Sequence, residues 1–407
     1  MKVNRDQFLE DGYIILRNAI PLDQLDELRT AYEIMVERQK IIWARHRKPD
    51  DPPGGAWETN SQPRLLLDSI GDQIDAQTAA TVEFWLHGGI QNISSELLGV
   101  EDAAVTEMML MCSPVRDHGT ANHRGWHRDF FPPNCAPLQG YVDDIIENGP
   151  RYVQWNLPLY DDDVLWVVPG SHNRFNTAEE NEQLIKDPCV PLHSGVQTHL
   201  KAGDAVAYIL PILHWGSMYN TKMRRTIHGG FSTFSASLDR RYLKHLCPAS
   251  QKTFERWDRR SMQMMEHTVS ALRGAMNKNS ARYDAALENL HPGRGKYGKR
   301  QSTIFLSKAA KRIHKLKSPD FERLPEPERN DCEIVHPMTL QWGVPIADRF
   351  SVEEARILWE RFKPVDDGLQ ADENQSAPDL QGDNTPYYLN KVPADITVEN
   401  FIAGWQA

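Results

Sequence analysis

Cysteine is scarce, with five in 407 residues. Cys112, Cys135, Cys189, Cys247 and Cys332 are odd in number, scattered, and never form a C-x-x-C pair. That usage argues against a disulfide framework and a zinc cluster, and it fits reduced thiols in a cytosol. No window of about 18 apolar residues occurs, so no segment is expected to span a bilayer. The opening MKVNRDQFLEDGY has a charge but no apolar run after it, unlike an export signal. Excess positive charge is absent too: the formal net charge is −10, which makes phosphate backbones and anionic lipid surfaces poor partners. The expectation is a soluble cytoplasmic protein acting on a small molecule, with neither nucleic acid nor membrane as partner. No internal repeat is visible.

What is present is an ordinary globular balance, 40% hydrophobic and 25% charged. The length allows one large elaborated domain or two ordinary ones. Residues 6–20, DQFLEDGYIILRNAI, read as a short helix, a Gly12 turn and a strand at 13–16. After Pro21 the period changes: Leu22, Leu25, Leu28, Tyr32 and Met35 recur every three to four residues and predict an amphipathic helix to about Gln39. A Pro/Gly loop fills 45–63, and 74–98 reads as helical up to Gly99. Short segments rich in β-branched and aromatic residues follow at 104–112, 152–159, 164–168, 205–210 and 226–234, separated by turn clusters such as PGSHN and KAGD. A β-sandwich or jelly-roll is their natural packing. Beyond about residue 240 the pattern turns helical, at 250–277, 280–290, 307–317 and 352–363, with a polar, loop-like stretch at 364–386. The expected fold is therefore mainly β with flanking helices: a core over 1–240 and a mostly helical extension over 241–407. That extension would cap the core or build a homo-oligomer interface.

The segment GWHRDFF sets His127 and Asp129 two residues apart. On a strand, positions i and i+2 project from one face, so an imidazole and a carboxylate can reach one ion together. Two imidazoles and one carboxylate make the facial triad of non-haem iron, and His214 in ILPILHWGS is the best third ligand, just past an apolar strand.

In order along the chain stand FLEDGYIILRNAIPLDQLDELR, GWHRD, YVQWNLPLYDDD, VVPGSH and KAGDAVAY, then His214 with Asn220 and Arg225 behind it. That series resembles the phytanoyl-CoA dioxygenase family of Fe(II)- and 2-oxoglutarate-dependent oxygenases, over roughly residues 6–235. The resemblance implies a double-stranded β-helix, a cupin-like jelly-roll, with His127, Asp129 and His214 on the metal. It implies 2-oxoglutarate as co-substrate, O2 as oxidant, and hydroxylation of a small organic molecule with release of succinate and CO2. It also implies that Arg225, eleven residues beyond His214, pairs with the far carboxylate of 2-oxoglutarate, as the planar guanidinium fork suits. Arg224 would face the opposite side of the strand, and a register shift of one exchanges the two. Asn156 and Thr221 are further candidate 2-oxoglutarate contacts. Asp129 separates the chain from related halogenating enzymes, which carry a small residue there. Two departures stand out: His214-Trp215-Gly216-Ser217 replaces the usual His-Gly-Ser, and Asp161-Asp162-Asp163 replaces the usual glycine before VVPGSH.

Two other readings stay open: a cupin-like metalloenzyme that uses the triad without 2-oxoglutarate, and a non-catalytic jelly-roll that binds a ligand or partner. Trp126 and Trp215 read as core, and His172 in PGSH as part of a turn. The segment 130–149 is either a substrate-facing lid or a surface loop. Gly293 to Gly298 matches G-x-G-x-x-G, but no strand precedes it, so a flexible basic loop is expected. The run from Gly293 to Lys317 carries nine Lys or Arg and no acid. It reads as a solvated face paired with acidic groups further on, or as a dock for an anionic substrate.

Overall fold

The structure, a computed structural model, describes residues 3–60, 62–67, 70–114, 125–129, 137–217, 222–234, 240–290, 293–325, 346–370 and 391–405. The chain divides into two compact units. The first comprises Met1–Arg128, Tyr152–His172 and Thr177–Asp258, and the second Asp129–Arg151, Asn173–Asn176 and Arg259–Ala407.

Among its described residues the first unit holds ten strands: β1 (Tyr13–Leu16), β2 (Arg64–Leu66), β3 (Ala104–Met111), β4 (His127–Arg128), β5 (Val153–Pro158), β6 (Leu165–Val167), β7 (Val196–Gln197), β8 (Ala205–Ile209), β9 (Leu213–Gly216) and β10 (Thr226–Ser232). They form a six-stranded sheet, β1-β8-β5-β10-β3-β2, and a four-stranded sheet, β4-β9-β6-β7. Every described pairing is antiparallel. Val206 and Tyr208 of the larger sheet pack with Leu165, Val167, Leu200 and Ile212, so apolar side chains fill the space between the sheets. Alternation sends their strand neighbours the other way. Trp155 on β5 is fully buried on the outer face, where its indole Nε1 donates to Ser94 Oγ at 3.0 Å. Ser94 belongs to the helix Gly88–Leu98. Burying each such large side chain contributes roughly 1.5–3 kcal/mol.

The N-terminal reading holds. A helix Arg5–Asp11, capped by Asn4, stops at Gly12 with φ +80° and turns into β1. A Cβ at Gly12 would stand 2.3 Å from His172 Nδ1, so glycine is required both by the turn and by the close approach. The second helix runs longer than expected, Leu22–Arg45.

The second unit is helical, with Leu138–Asn148, Ser280–Leu287, Gly295–Leu316, Val352–Gln370 and Val398–Ala403 beside the larger part of Pro248–Met276. Tyr283, Phe362, Phe401 and Trp405 form its aromatic cluster, with Phe362 and Phe401 ring centroids 4.6 Å apart.

Several expectations need correction. The chain is not mainly β: among the described residues helical residues outnumber strand residues, because the longest helices run to 19–29 residues and the longest strand to eight. The helix expected over 74–98 is three pieces, Ala80–Glu83, Phe84–Leu86 and Gly88–Leu98. The loop expected from 364 begins inside a helix, which runs through Pro364 to Gln370. Burial of Phe362, Val365 and Leu369 outweighs the single backbone bond that proline removes. Residues 371–386 lie outside the described residues. Within 130–149, Leu138–Asn148 is a helix whose Leu138, Val142 and Ile145 are buried at helical spacing, a periodicity the loop reading passed over. Residues 130–136 lie outside the described residues. Among the described residues, no helix is long and apolar enough to cross a membrane.

Candidate metal centre

Strand pairing builds the centre. His127 on β4 lies directly opposite His214 on β9, so their side chains leave the sheet on one side. Their ring centroids are 4.3 Å apart. Asp129, two residues past His127, completes a set whose ligand atoms all lie within 4.8 Å of one another. His214 stands just past the apolar strand β8, as expected, and itself lies inside β9. Both imidazoles are buried and Asp129 is half-buried.

The rings are oriented by their own backbone. His127 Nδ1 lies 2.8 Å from Gly125 O, and His214 Nδ1 lies 3.0 Å from Ile212 O. A carbonyl only accepts, so Nδ1 carries the proton in each ring and Nε2 keeps its lone pair for a ligand. Two imidazoles oriented through Nδ1 and one carboxylate suit a divalent first-row metal.

The flanking residues point away. Trp126 and Trp215 pack with Val168, Leu184, Leu192 and Leu213 on the other face of the smaller sheet. Their rings are 5.7 Å apart, and Trp126 Nε1 donates to Val190 O at 2.8 Å. Arg128 donates to Ser171 O at 2.6 Å and to Pro211 O at 2.8 Å, tying β4 to the PGSH turn. His172 is a turn residue, its Nε2 donating to Leu9 O at 3.0 Å, and burial holds its pKa down at about 4.

The two arginines part company. Arg225 makes a two-point ion pair with Glu33 on the helix Leu22–Arg45, through Nε at 2.6 Å and Nη2 at 3.1 Å, with Trp57 beneath its guanidinium. Arg224 instead reaches the side shared by Thr226 and Met111, opposite residues of β10 and β3, and its Nη1 lies 3.3 Å from Met111 Sδ. Arg224 thus shares its face with His228 and Asn156, and Arg225 takes the opposite one. Its Nε donates to Asp162 Oδ2 at 2.9 Å, and Thr226 Oγ1 donates to the same oxygen at 2.7 Å. Burial alone would raise the Asp162 pKa, but the Arg224 charge and the hydrogen bonds from Thr226 and Val164 hold it below the usual carboxylate range. Asn156 is on this side, accepting a hydrogen bond from His228 Nδ1. Thr221 and Asn220 lie outside the described residues.

Sequence reasoning missed a polar chain across the same sheet. With Nδ1 protonated, His228 Nε2 accepts from Gln154 Nε2 at 3.2 Å, and that amide also donates to Tyr208 Oη at 2.8 Å. The Tyr208 ring lies 5.4 Å from His214. The available signal was spacing, since His228 sits two residues past Thr226 on β10 and four past Arg224 just before it.

Within the second unit the basic run meets acids on several elements. Lys299 pairs with Asp284 and Glu288, Arg300 with Asp143, Lys308 and Lys311 with Asp366, and Lys317 with Asp348. The glycine-rich segment opens the helix Gly295–Leu316, whose first free N–H groups, from Lys296 and Tyr297, donate to Glu147 at 2.9 and 2.8 Å. A carboxylate thus holds the place a phosphate would need.

No family model matches the chain, and no curated protein matches it. Among solved structures, AviO1 from Streptomyces viridochromogenes Tue57 is similar at 20% identity and a TM-score of 0.38, over 57% of this chain and 96% of its own. EctD from S. alaskensis, solved with 2-oxoglutarate and 5-hydroxyectoine, aligns at 16% identity and 0.37, over 56% of this chain and 74% of its own. The non-heme alpha ketoglutarate dependent epimerase SnoN from nogalamycin biosynthesis aligns at 15% and 0.35, over 56% of this chain and 80% of its own.

Proposed function

We propose that the chain is an Fe(II)- and 2-oxoglutarate-dependent oxygenase of the phytanoyl-CoA dioxygenase family, hydroxylating a small organic molecule in the cytoplasm. The observation that carries this reading is the cross-strand pair His127 and His214, with Asp129 beside it and both Nδ1 positions anchored on backbone carbonyls. The strand order supports it: from β3 to β10 the chain alternates between the two sheets except at the antiparallel pair β6 and β7, with β3, β5, β8 and β10 in the larger and β4, β6, β7 and β9 in the smaller. We read that alternation as a double-stranded β-helix over 1–240, with 241–407 as a helical extension.

Within this reading His127, Asp129 and His214 hold the metal. Arg224, on the same side as Asn156, takes over from Arg225 as the group for the distal carboxylate of 2-oxoglutarate. The oxidising chemistry would come from iron, O2 and 2-oxoglutarate together, with succinate and CO2 released. The chain's share is position and dryness. Fixed tautomers keep two lone pairs aimed at one point, and the apolar cluster of Leu165, Val167, Val206 and Ile212 keeps water from the floor between the sheets. Anaerobic titration with Fe(II) and 2-oxoglutarate tests the reading: the full chain should develop the weak charge-transfer absorbance of the chelate, and His127→Ala should lose it. A parent protein that takes up iron without that band would refute it.

One observation favours a second reading. Arg224 is already satisfied by Asp162, as in a metalloenzyme that uses the triad without 2-oxoglutarate. Metal binding with no effect of 2-oxoglutarate would select it.

A further inference from the structure

We propose that Asp162 is a specificity-determining residue, which competes with the incoming co-substrate for Arg224 and so sets how strongly the site prefers a charged distal end. The proposal rests on the oxygenase reading above.

An arginine fork and a hydroxyl converging on one point form a carboxylate-binding set. Here Arg224, two residues before β10, and Thr226, its first residue, converge on Oδ2 of Asp162, at 2.9 and 2.7 Å. Asp162 is fixed in that position. Its Oδ1 accepts the Val164 N–H at 2.8 Å, and its backbone pairs with Leu200 in both directions, at 3.0 and 2.9 Å. Arg224 is 4% exposed, Asp162 8% and Thr226 1%, so solvent screens the pair weakly. A free carboxylate approaching Arg224 therefore meets an arginine already neutralised and a fixed negative charge beside it. Asparagine at position 162 would keep Oδ1 for the Val164 N–H while replacing the charged Oδ2 that faces Arg224 and Thr226 with an uncharged amide NH2. The sequence signal is the substitution already noted, Asp161-Asp162-Asp163 in place of the glycine expected before VVPGSH.

The test is calorimetric, on the full chain loaded anaerobically with Fe(II). The dissociation constants of 2-oxoglutarate and of 2-oxopentanoate, which has the same 2-oxo acid head and a neutral tail, are compared in the parent and in Asp162→Asn. The parent should prefer 2-oxoglutarate by less than about 30-fold, against the larger preference a free buried arginine gives through charge-assisted hydrogen bonds. In Asp162→Asn, 2-oxoglutarate should bind at least about tenfold tighter, a change of one decade in affinity, with 2-oxopentanoate shifted less than about threefold. A larger preference in the parent overturns the proposal whatever the variant does, and leaves the oxygenase reading standing. Equal shifts for both ligands, or no tightening in a variant that melts normally, also overturn it. If the variant does not fold, the parent's preference alone decides. Binding of neither ligand by the metal-loaded parent and variant overturns both the proposal and the oxygenase reading.

Discussion

Arg224 and Arg225 are chain neighbours and almost equally buried, at 4% and 5% exposure, yet they serve opposite faces of the larger sheet. Arg225 faces the N-terminal helices and is held by Glu33, which is 36% exposed. Arg224 faces the space between the sheets and is held by Asp162, which is 8% exposed. The pair teaches that burial and charge do not decide which face an arginine serves. The pleat does, because a shift of one residue moves a side chain from one face of a sheet to the other.

The largest effect that can break this comparison comes from removing each arginine in turn. Arg224→Gln strands a buried carboxylate, and losing one partner of a buried pair costs about 3–5 kcal/mol. Arg225→Gln leaves Glu33 partly solvated and costs on the order of 1 kcal/mol. Denaturant melts should separate the two, and 2-oxoglutarate affinity should fall in the first and stay within about threefold in the second, the scale of a contact worth under 1 kcal/mol. Equal losses of stability and affinity would erase the distinction between the faces.

A smaller effect sharpens it from the outer side. Ser94→Ala leaves the fully buried Trp155 indole N–H without its partner, an unsatisfied donor costing about 1–2 kcal/mol. The melting temperature should drop while metal and 2-oxoglutarate affinities hold. A change in either affinity would show that the outer face is coupled to the centre.

The smallest effect is in the acid limb of stability. The folded-state pKa of Asp162 lies below its unfolded value because Arg224 and the hydrogen bonds overcome burial, so the unfolded chain takes up the proton first. The stabilisation is whole above the ordinary carboxylate value of 3.8 and is lost as the pH falls below it. Asp162→Asn should flatten that part of the profile, and an unchanged acid limb would show that the pair contributes nothing there.

Much of the centre was legible in the chain. A histidine and an aspartate two apart on a strand must share a face, and GWHRD announced that much. His214 was legible through its place after an apolar run, although whether it sat in the strand or beyond it was not. The polar chain of Gln154, Tyr208 and His228 was hidden because its members come from β5, β8 and β10, and only the register makes them neighbours. Strand segments were found because β-branched and aromatic runs with period two are local signals. Short helices such as Ala178–Lys186, with its Thr177 and Glu180 capping box, were not picked out. Helix content was underestimated for the same reason that Pro364 misled: a proline removes one bond locally, while the buried face that outweighs it belongs to a longer stretch.

By itself, the sequence determined which residue types could meet a metal, the alternation of each strand and the turn at Gly12, because these depend on neighbours within a few positions. Only the tertiary structure decided that His127 lies opposite His214, and that Arg224 rather than Arg225 faces inward onto Asp162. Those facts depend on pairing registers between distant strands, and a register is fixed by the packing of whole faces, which no short segment contains.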